Sequence, residues 1–379
     1  MKKIIYTKIS SDCLKFFLLT IFSIATIIWV LQAVNFLDFI VEDGHGFFVY
    51  LNYTLLSFPK IFSKIFLFTL FFSVTYVLLK YEDKNELVIF WNIGIHKIKF
   101  VNFFIRLSIL FVIINLILNA IVVPKTQDSA RSFIRASDLD LFEGIIRPKK
   151  FITAAKDLTV LVDNKNENGE LRNIFIKENS SENDFQIIFA KTGKFEKRGD
   201  RKILVLNQGK TINSKNNNLS LFGFEKSDFN ISKFGTTTIT HQKIQETSTI
   251  QLFKCLLILK SSIPEAEALE KKLLINNCDT GNLEPILKEI YKRLILPFYS
   301  IFLILISLLL ILKSKNDQSF RFYKIKIFIF GFLTIIFSEI SLKFIVDDVY
   351  KNLPFLFLPF LLIFLIYIYF LTTLKNKSR

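Results

Sequence analysis

The sequence predicts a helical membrane protein: six transmembrane helices in a three-plus-three arrangement, with an all-β, jelly-roll-like domain inserted between the halves. Three observations predict it. Apolar residues make up 51% of the 379, with 44 Phe among them, and they gather into uninterrupted runs towards both ends. The stretch between those runs is polar, and its apolar residues recur at every second position, the period of a strand. The Lys and Arg of the short connections collect at every second connection, and so on one side, the pattern that orients membrane helices.

A membrane-crossing helix needs about 20 mostly apolar residues. Phe16 to Leu37 carries no charge. It is longer than a signal-peptide core and shows no small-residue cleavage pattern, so it reads as a retained helix. Ile61 to Leu79 contains only Lys64 and is extended outward by Phe47 to Phe58. Phe100 to Val123 has Arg106 near its start, and Leu294 to Leu312 is uncharged. Ile327 to Val346 is interrupted by Glu339 and Lys343, and Leu353 to Leu371 holds Pro354 and Pro359 early. The expected domains are 1–123, 124–293 and 294–379.

Lys2, Lys3, Lys8 and Lys15 precede the first run, and Lys80, Lys84, Lys97 and Lys99 follow the second. Lys313, Lys315, Arg321, Lys324 and Lys326 follow the fourth, and Lys375, Lys377 and Arg379 the sixth. The loop after the first run has Asp38, Glu42 and Asp43 with no base. The positive-inside rule therefore places both termini in the cytoplasm and the middle domain outside. Most of the net charge of +16 can lie beside membrane segments, so it does not call for nucleic acid.

In the middle, 158–162, 171–176, 185–189, 202–206 and 219–222 read as strands separated by Asn-, Gly- and Asp-rich turns. After His241 the pattern turns helical. Thr247, Ser248 and Thr249 can cap a helix from Ile250 to Leu259, and Pro264 to Leu274 reads as a second one. Glu284 to Arg293 leads into the fourth membrane helix.

Enzymatic chemistry finds little support. Gly209-Lys210-Thr211 ends like a phosphate-binding loop, but the first Gly of that motif would fall on Leu204. His45, His96 and His241 fall on an outer loop, a cytoplasmic loop and the outer domain, and no Cys pair has ligand spacing, so no metal site is expected. Cys13 is expected alone; Cys255 and Cys278 are expected as two free thiols, with a bridge as the alternative. No cofactor is expected in this chain.

Three features stand out as functional candidates. Between the second and third runs, about 82–95, Asn85 can cap a short helix with Glu86 in its first turn, Leu87, Phe90 and Trp91 forming an exposed apolar face, and Gly94 ending it. Docking on a soluble partner and lying on the inner membrane surface both fit that pattern. Lys60 and Lys64 share one face of the second helix near its outer boundary, where they can meet lipid phosphates or snorkel to headgroups. Glu339 and Lys343, four apart, are expected to neutralise each other inside the bundle, with a gating role as the second reading.

With these residues in hand, the chain resembles the LptF/LptG (YjgP/YjgQ) permease family of the lipopolysaccharide export ABC transporter. Trp29-Val-Leu-Gln-Ala-Val-Asn-Phe-Leu-Asp38, followed by Gly44 or Gly46, is similar to the end of the family's first helix in the LptF branch, which is the preferred branch. Glu86-Leu-Val-Ile-Phe-Trp-Asn-Ile-Gly94 resembles the family's coupling helix, and Glu289-Ile-Tyr-Lys-Arg293-Leu-Ile-Leu-Pro297 its approach to the fourth helix. The loop after the fourth helix, Lys313 to Arg321, lacks the family's usual Pro-Arg-x-Gly-Arg-like stretch. The resemblance implies a permease subunit that draws lipopolysaccharide from the outer leaflet of the inner membrane towards a periplasmic bridge. It implies an LptG-like sister permease, an LptB-like ATPase dimer that holds the ATP and Mg, and an LptC-like partner. Glu86 and Gly94 then belong to the ATPase-docking helix, and Lys60 and Lys64, with Lys343 and Glu339 as further candidates, to the lipid cavity. A mechanotransmission permease, usually of four helices, or a membrane-anchored interaction protein are the alternatives.

Overall fold

The computed structural model describes residues 2–37, 47–145, 148–155, 158–166, 169–179, 184–198, 201–215, 218–230, 243–260, 278–348 and 350–376. Among these, six helices are long and apolar enough to cross a membrane. The chain divides into two compact units, one of residues 1–31, 56–128 and 242–379, the other of 32–55 and 129–241.

The first helix, α1 (Lys2–Asn35), is one uninterrupted rod. The second span is two pieces, α2 (Phe47–Leu56) and α3 (Phe58–Asp83), separated at Ser57, with Pro59 in the first turn of α3. Pro lacks an N–H, which costs nothing in the first turn of a helix, where that donor has no partner in the helix. A short α4 (Glu86–Asn92) follows, then α5 (Lys97–Ile117). One π-helical turn, Leu118–Val122, joins α5 to α6 (Val123–Ile145).

In the membrane unit the fourth span is the central one. It runs through α8 (Leu283–Leu294), a 3₁₀ turn at Leu296–Phe298, α9 (Tyr299–Leu308) and a second 3₁₀ turn at Leu309–Leu312. Pro297 accounts for the first break by removing a donor. Along α9, Leu303, Ile304, Leu305 and Ile306 are all fully buried, so the helix is apolar all round because it has neighbours all round. Thr75 of α3 and Ser307 of α9 share a buried hydroxyl bond of 2.9 Å, a satisfied polar tie between two spans.

The fifth span, α10 (Phe320–Ser341), ends in a 3₁₀ turn at Leu342–Phe344, and the sixth is α11 (Leu353–Asn376). Gly331 lets α10 lie against α3: a Cβ there would sit 2.1 Å from the Cζ atom of Phe71, itself 1% exposed. Gly331→Val is therefore expected to destabilise the membrane unit by about 1–3 kcal/mol through overpacking. A fall in the thermal midpoint of the detergent-purified protein checks it; an unchanged midpoint would show that the two helices can part without cost.

The second unit holds a six-stranded antiparallel sheet: β1 (Phe151–Ala155), β2 (Leu158–Lys165), β3 (Glu170–Asn179), β4 (Phe185–Arg198), β5 (Arg201–Lys215) and β6 (Asn218–Asn230). The strands pair in sequence order, so the inserted β domain is built as one meander. The expected strands all form and are longer than their apolar cores; β1 is added at the edge. Val160, Val162, Leu171, Ile174, Ile176, Leu204 and Leu206 bury one set of side chains in a shared core. The positive φ of Asn173, 51°, interrupts the alternation, which is why Leu171 and Ile174 lie in one core although three apart.

After the sheet, α7 (Thr249–Lys260) belongs to the membrane unit. Its cap is reciprocal: the N–H of Gln251 donates to Ser248 Oγ, and the N–H of Ser248 donates to Gln251 Oε1, both at 3.3 Å. Ser248 is thus the capping residue among the three candidates. Cys255 and Cys278 form a disulfide, which corrects the expectation of two free thiols. The reason is tertiary: α7 packs on α8, and Leu252, Cys255, Cys278 and Ile286 close into one buried cluster. The stretch from Pro264 to Leu274 lies outside the described residues.

Candidate functional site

The short helix between the second and third spans is positioned by backbone geometry at both ends. At its start Asn85 has φ 59° and makes no side-chain capping bond, so it turns the chain through the left-handed region instead of capping with its amide as expected. Asn tolerates that region better than most residues. Glu86 does occupy the first turn. At the other end Gly94 has φ +81°; its N–H donates to Trp91 O at 3.0 Å, and the N–H of Ile95 donates to Phe90 O at 3.2 Å. These two bonds, with Phe90 and Ile95 both buried, are a Schellman ending.

The helix presents a different face from the one expected. Leu87 (1% exposed) and Phe90 (8%) pack into the membrane-unit core, while Val88 and Ile89 are outside. Tyr81 lies against Phe90 and Phe100 against Trp91, so these large rings anchor the helix to α3 and α5. The face left outward carries Glu86, Val88 and Ile89. Glu86 is 3.8 Å from Lys8 Nζ, a partly exposed pair worth little in free energy.

The floor beneath the helix includes residues that sequence reading missed. The buried carboxylate of Glu82 accepts the backbone N–H of Lys315 at 2.8 Å, and Lys315 Nζ donates to Asp83 O at 2.9 Å. Lys97 Nζ donates to Ile311 O at 2.9 Å and lies over the Trp91 ring. Tyr81 donates to Asp12 at 2.7 Å. The short helix therefore rests where α1, α3 and the loop after the fourth span meet. An Ala at Gly94 would hold a strained φ at a cost of about 1 kcal/mol, so Gly94→Ala is expected to loosen the end of α4. Faster amide exchange at Gly94 and Ile95 checks this; unchanged exchange would mean the turn does not depend on glycine.

The lysines behave unequally. Lys60 is half-buried and its Nζ donates to Gln127 Oε1 at 3.4 Å, whereas Lys64, one turn along α3, is exposed. Near them Ser63 donates to Asn119 Oδ1, and Asn119 Nδ2 donates to Asn115, forming a polar seam between α3 and the π turn.

Glu339 and Lys343 are both exposed, and no ion pair joins them. This corrects the expected neutralisation. The α-helix stops at Ser341, and a 3₁₀ turn advances 120° per residue, so Lys343 leaves the face that carries Glu339.

At the start of the fourth span Arg293 is 1% exposed yet donates four hydrogen bonds. Its Nε donates to Glu289 Oε1 at 3.0 Å, Nη1 to Thr247 O at 2.9 Å and Thr249 Oγ1 at 3.0 Å, and Nη2 to Gln245 O at 3.0 Å. The i,i+4 spacing of Glu289 and Arg293 was visible in sequence; the carbonyl partners, more than forty residues upstream, were not. Breaking such a buried pair costs about 3–5 kcal/mol, because an uncompensated charge remains.

On the β domain a groove of about 900 Å³ is lined by Leu161, Phe175, Phe189, Phe224 and Lys210 among others. Register explains the row: Phe151 pairs with Leu161, Leu161 with Phe175, Phe175 with Phe189, and Phe189 with Lys210. Gly209, Lys210 and Thr211 lie inside β5, so they form no phosphate loop. His45 and His241 lie outside the described residues. Among the described residues no group of three metal-binding side chains occurs.

Six apolar helices, a β domain inserted between the third and fourth, and a seated amphipathic helix between the second and third are the parts of a membrane transport subunit. The sequence matches the family of lipopolysaccharide export system permeases LptF/LptG over residues 9–373, and the chain belongs to that family. It is also similar to an uncharacterized protein of Rickettsia prowazekii (strain Madrid E), 20% identical over 348 residues that cover 91% of each chain. As a family member it is a multi-pass inner-membrane permease that works within an Lpt complex, and it is not an enzyme by itself. The match spans both family branches and does not choose between them.

Proposed function

We propose that this chain extracts lipopolysaccharide from the outer leaflet of the inner membrane and passes it across its β domain towards a periplasmic bridge. A separate cytoplasmic ATPase dimer, which holds ATP and Mg, drives the step, and a sister permease completes the membrane cavity. An LptC-like protein receives the lipid. The observation that carries this reading is α4: a short helix whose large apolar residues are used for anchoring, leaving one carboxylate and two aliphatic side chains facing outward. That is the footing an ATPase groove needs in order to push on the second and third spans together.

The orientation follows from the basic short loops, which put both termini and α4 in the cytoplasm and the sheet in the periplasm. On the sheet, the row of Leu161, Phe175 and Phe189 ending at Lys210 offers acyl chains an apolar surface and a phosphate a cation. Lys64 offers a second cation at the membrane level. The test is purification with co-eluting partners, reconstitution in proteoliposomes and photo-crosslinking of lipopolysaccharide to the β domain. ATP-dependent crosslinking supports the proposal. A lone chain, or crosslinking indifferent to ATP, would favour an interaction protein instead.

A further inference from the structure

Buried arginines are costly, and Arg293 fastens no substrate site described above. What it does hold is the stretch Gln245–Thr249, part of the first described segment after the β domain. Its fork grips the carbonyls of Gln245 and Thr247 and the hydroxyl of Thr249, while Glu289 fixes the guanidinium from one helical turn before. Thr249 passes the grip on: its hydroxyl accepts from Arg293 and donates to Ala120 O at 2.5 Å. Ala120 sits in the π turn where the third span gives way to α6, the helix that leads to the β domain. The outgoing chain and the returning chain are thus tied to each other and to the start of the fourth span by one side-chain relay. The disulfide and the Ser248–Gln251 cap hold the segment after the grip rigid.

We propose that Arg293 is a positioning residue for transport: it latches both connections of the β domain to the fourth span, so that a shift of that span is delivered to the domain. The proposal rests on the transport reading above. A π turn is a natural place for such a joint, because its wider winding leaves local freedom that a regular helix lacks. A guanidinium is suited to the grip because its planar fork bonds several acceptors at once, which an ammonium cannot reproduce.

The test uses Arg293→Lys, which keeps the charge, and Thr249→Val, which keeps the size and removes the relay to Ala120. Each is assembled with its ATPase and sister permease in proteoliposomes. ATP hydrolysis is expected to stay within about twofold of the parent while ATP-dependent lipid transfer falls about fivefold or more, the size of a lost coupling term. Amide exchange in detergent, without lipid, is expected to quicken at Gln245–Thr249 and not in α9. Equal losses of hydrolysis and transfer would make Arg293 a stability residue only and overturn the latch; so would parental transfer in Thr249→Val. If the parent complex itself moves no lipid, the transport reading fails, while the exchange result still decides whether the grip exists.

Discussion

Glu86→Lys is expected to cut ATP-dependent lipid transfer at least about tenfold while leaving the protein inserted and folded, a change of about 1.4 kcal/mol or more in coupling. The structure supports both halves of that expectation. Glu86 is on the outward side of α4, and its contact with Lys8 at 3.8 Å is partly exposed, so its loss removes little stability. The helix is held by Leu87, Phe90 and the Gly94 turn, none of which the substitution touches. The reversed charge would oppose Lys8 and any basic groove of a partner, and like charges brought together cost several kcal/mol. Co-purification of the ATPase and lipid release should fall together. Undiminished release with normal ATPase binding would remove Glu86 from the docking surface.

The second large effect is expected from the cations of α3, and it is unequal. Lys64→Ala should lower lipopolysaccharide photo-crosslinking to the membrane unit about tenfold or more, the result of losing a charge-assisted contact worth about 1.5–3 kcal/mol. Lys60→Ala should do less, because Lys60 Nζ is already bonded to Gln127 Oε1. If both lysines only snorkel, the double substitution will leave crosslinking at the parental level and change nothing but the protein's depth in the bilayer.

Much of the layout was legible in the sequence because the solvent imposes it. A bilayer demands about 20 apolar residues per crossing, and the six runs met that demand one by one. Strands with one buried face must alternate, so β2 to β6 could be read from Leu158, Val160, Val162 and their counterparts. The short Phe151-Ile-Thr-Ala-Ala155 strand could not, since its pairing partner supplies the reason it is extended. Gly94 was readable as a helix end because only a residue free to take positive φ serves there.

What the sequence left open is everything that depends on which neighbour a side chain meets. An amphipathic helix shows that it has two faces, not which one a tertiary core will claim; packing claimed Leu87 and Phe90 and left Val88 and Ile89. Spacing of four implies a pair only while the α-helix lasts, and it ends between Glu339 and Lys343. Cys255 and Cys278 are brought together by α7 lying on α8, an approach no local pattern encodes. The buried carboxylate of Glu82 and the guanidinium of Arg293 look like surface charges until the loop and the returning chain that they bind are in place. By itself, then, the sequence determined the membrane class, the span count and the inserted β domain, because burial from water is a property of composition and period. Tertiary structure decided which face of α4 is buried, the disulfide and the Arg293 grip, because those are contacts between residues that only folding makes neighbours.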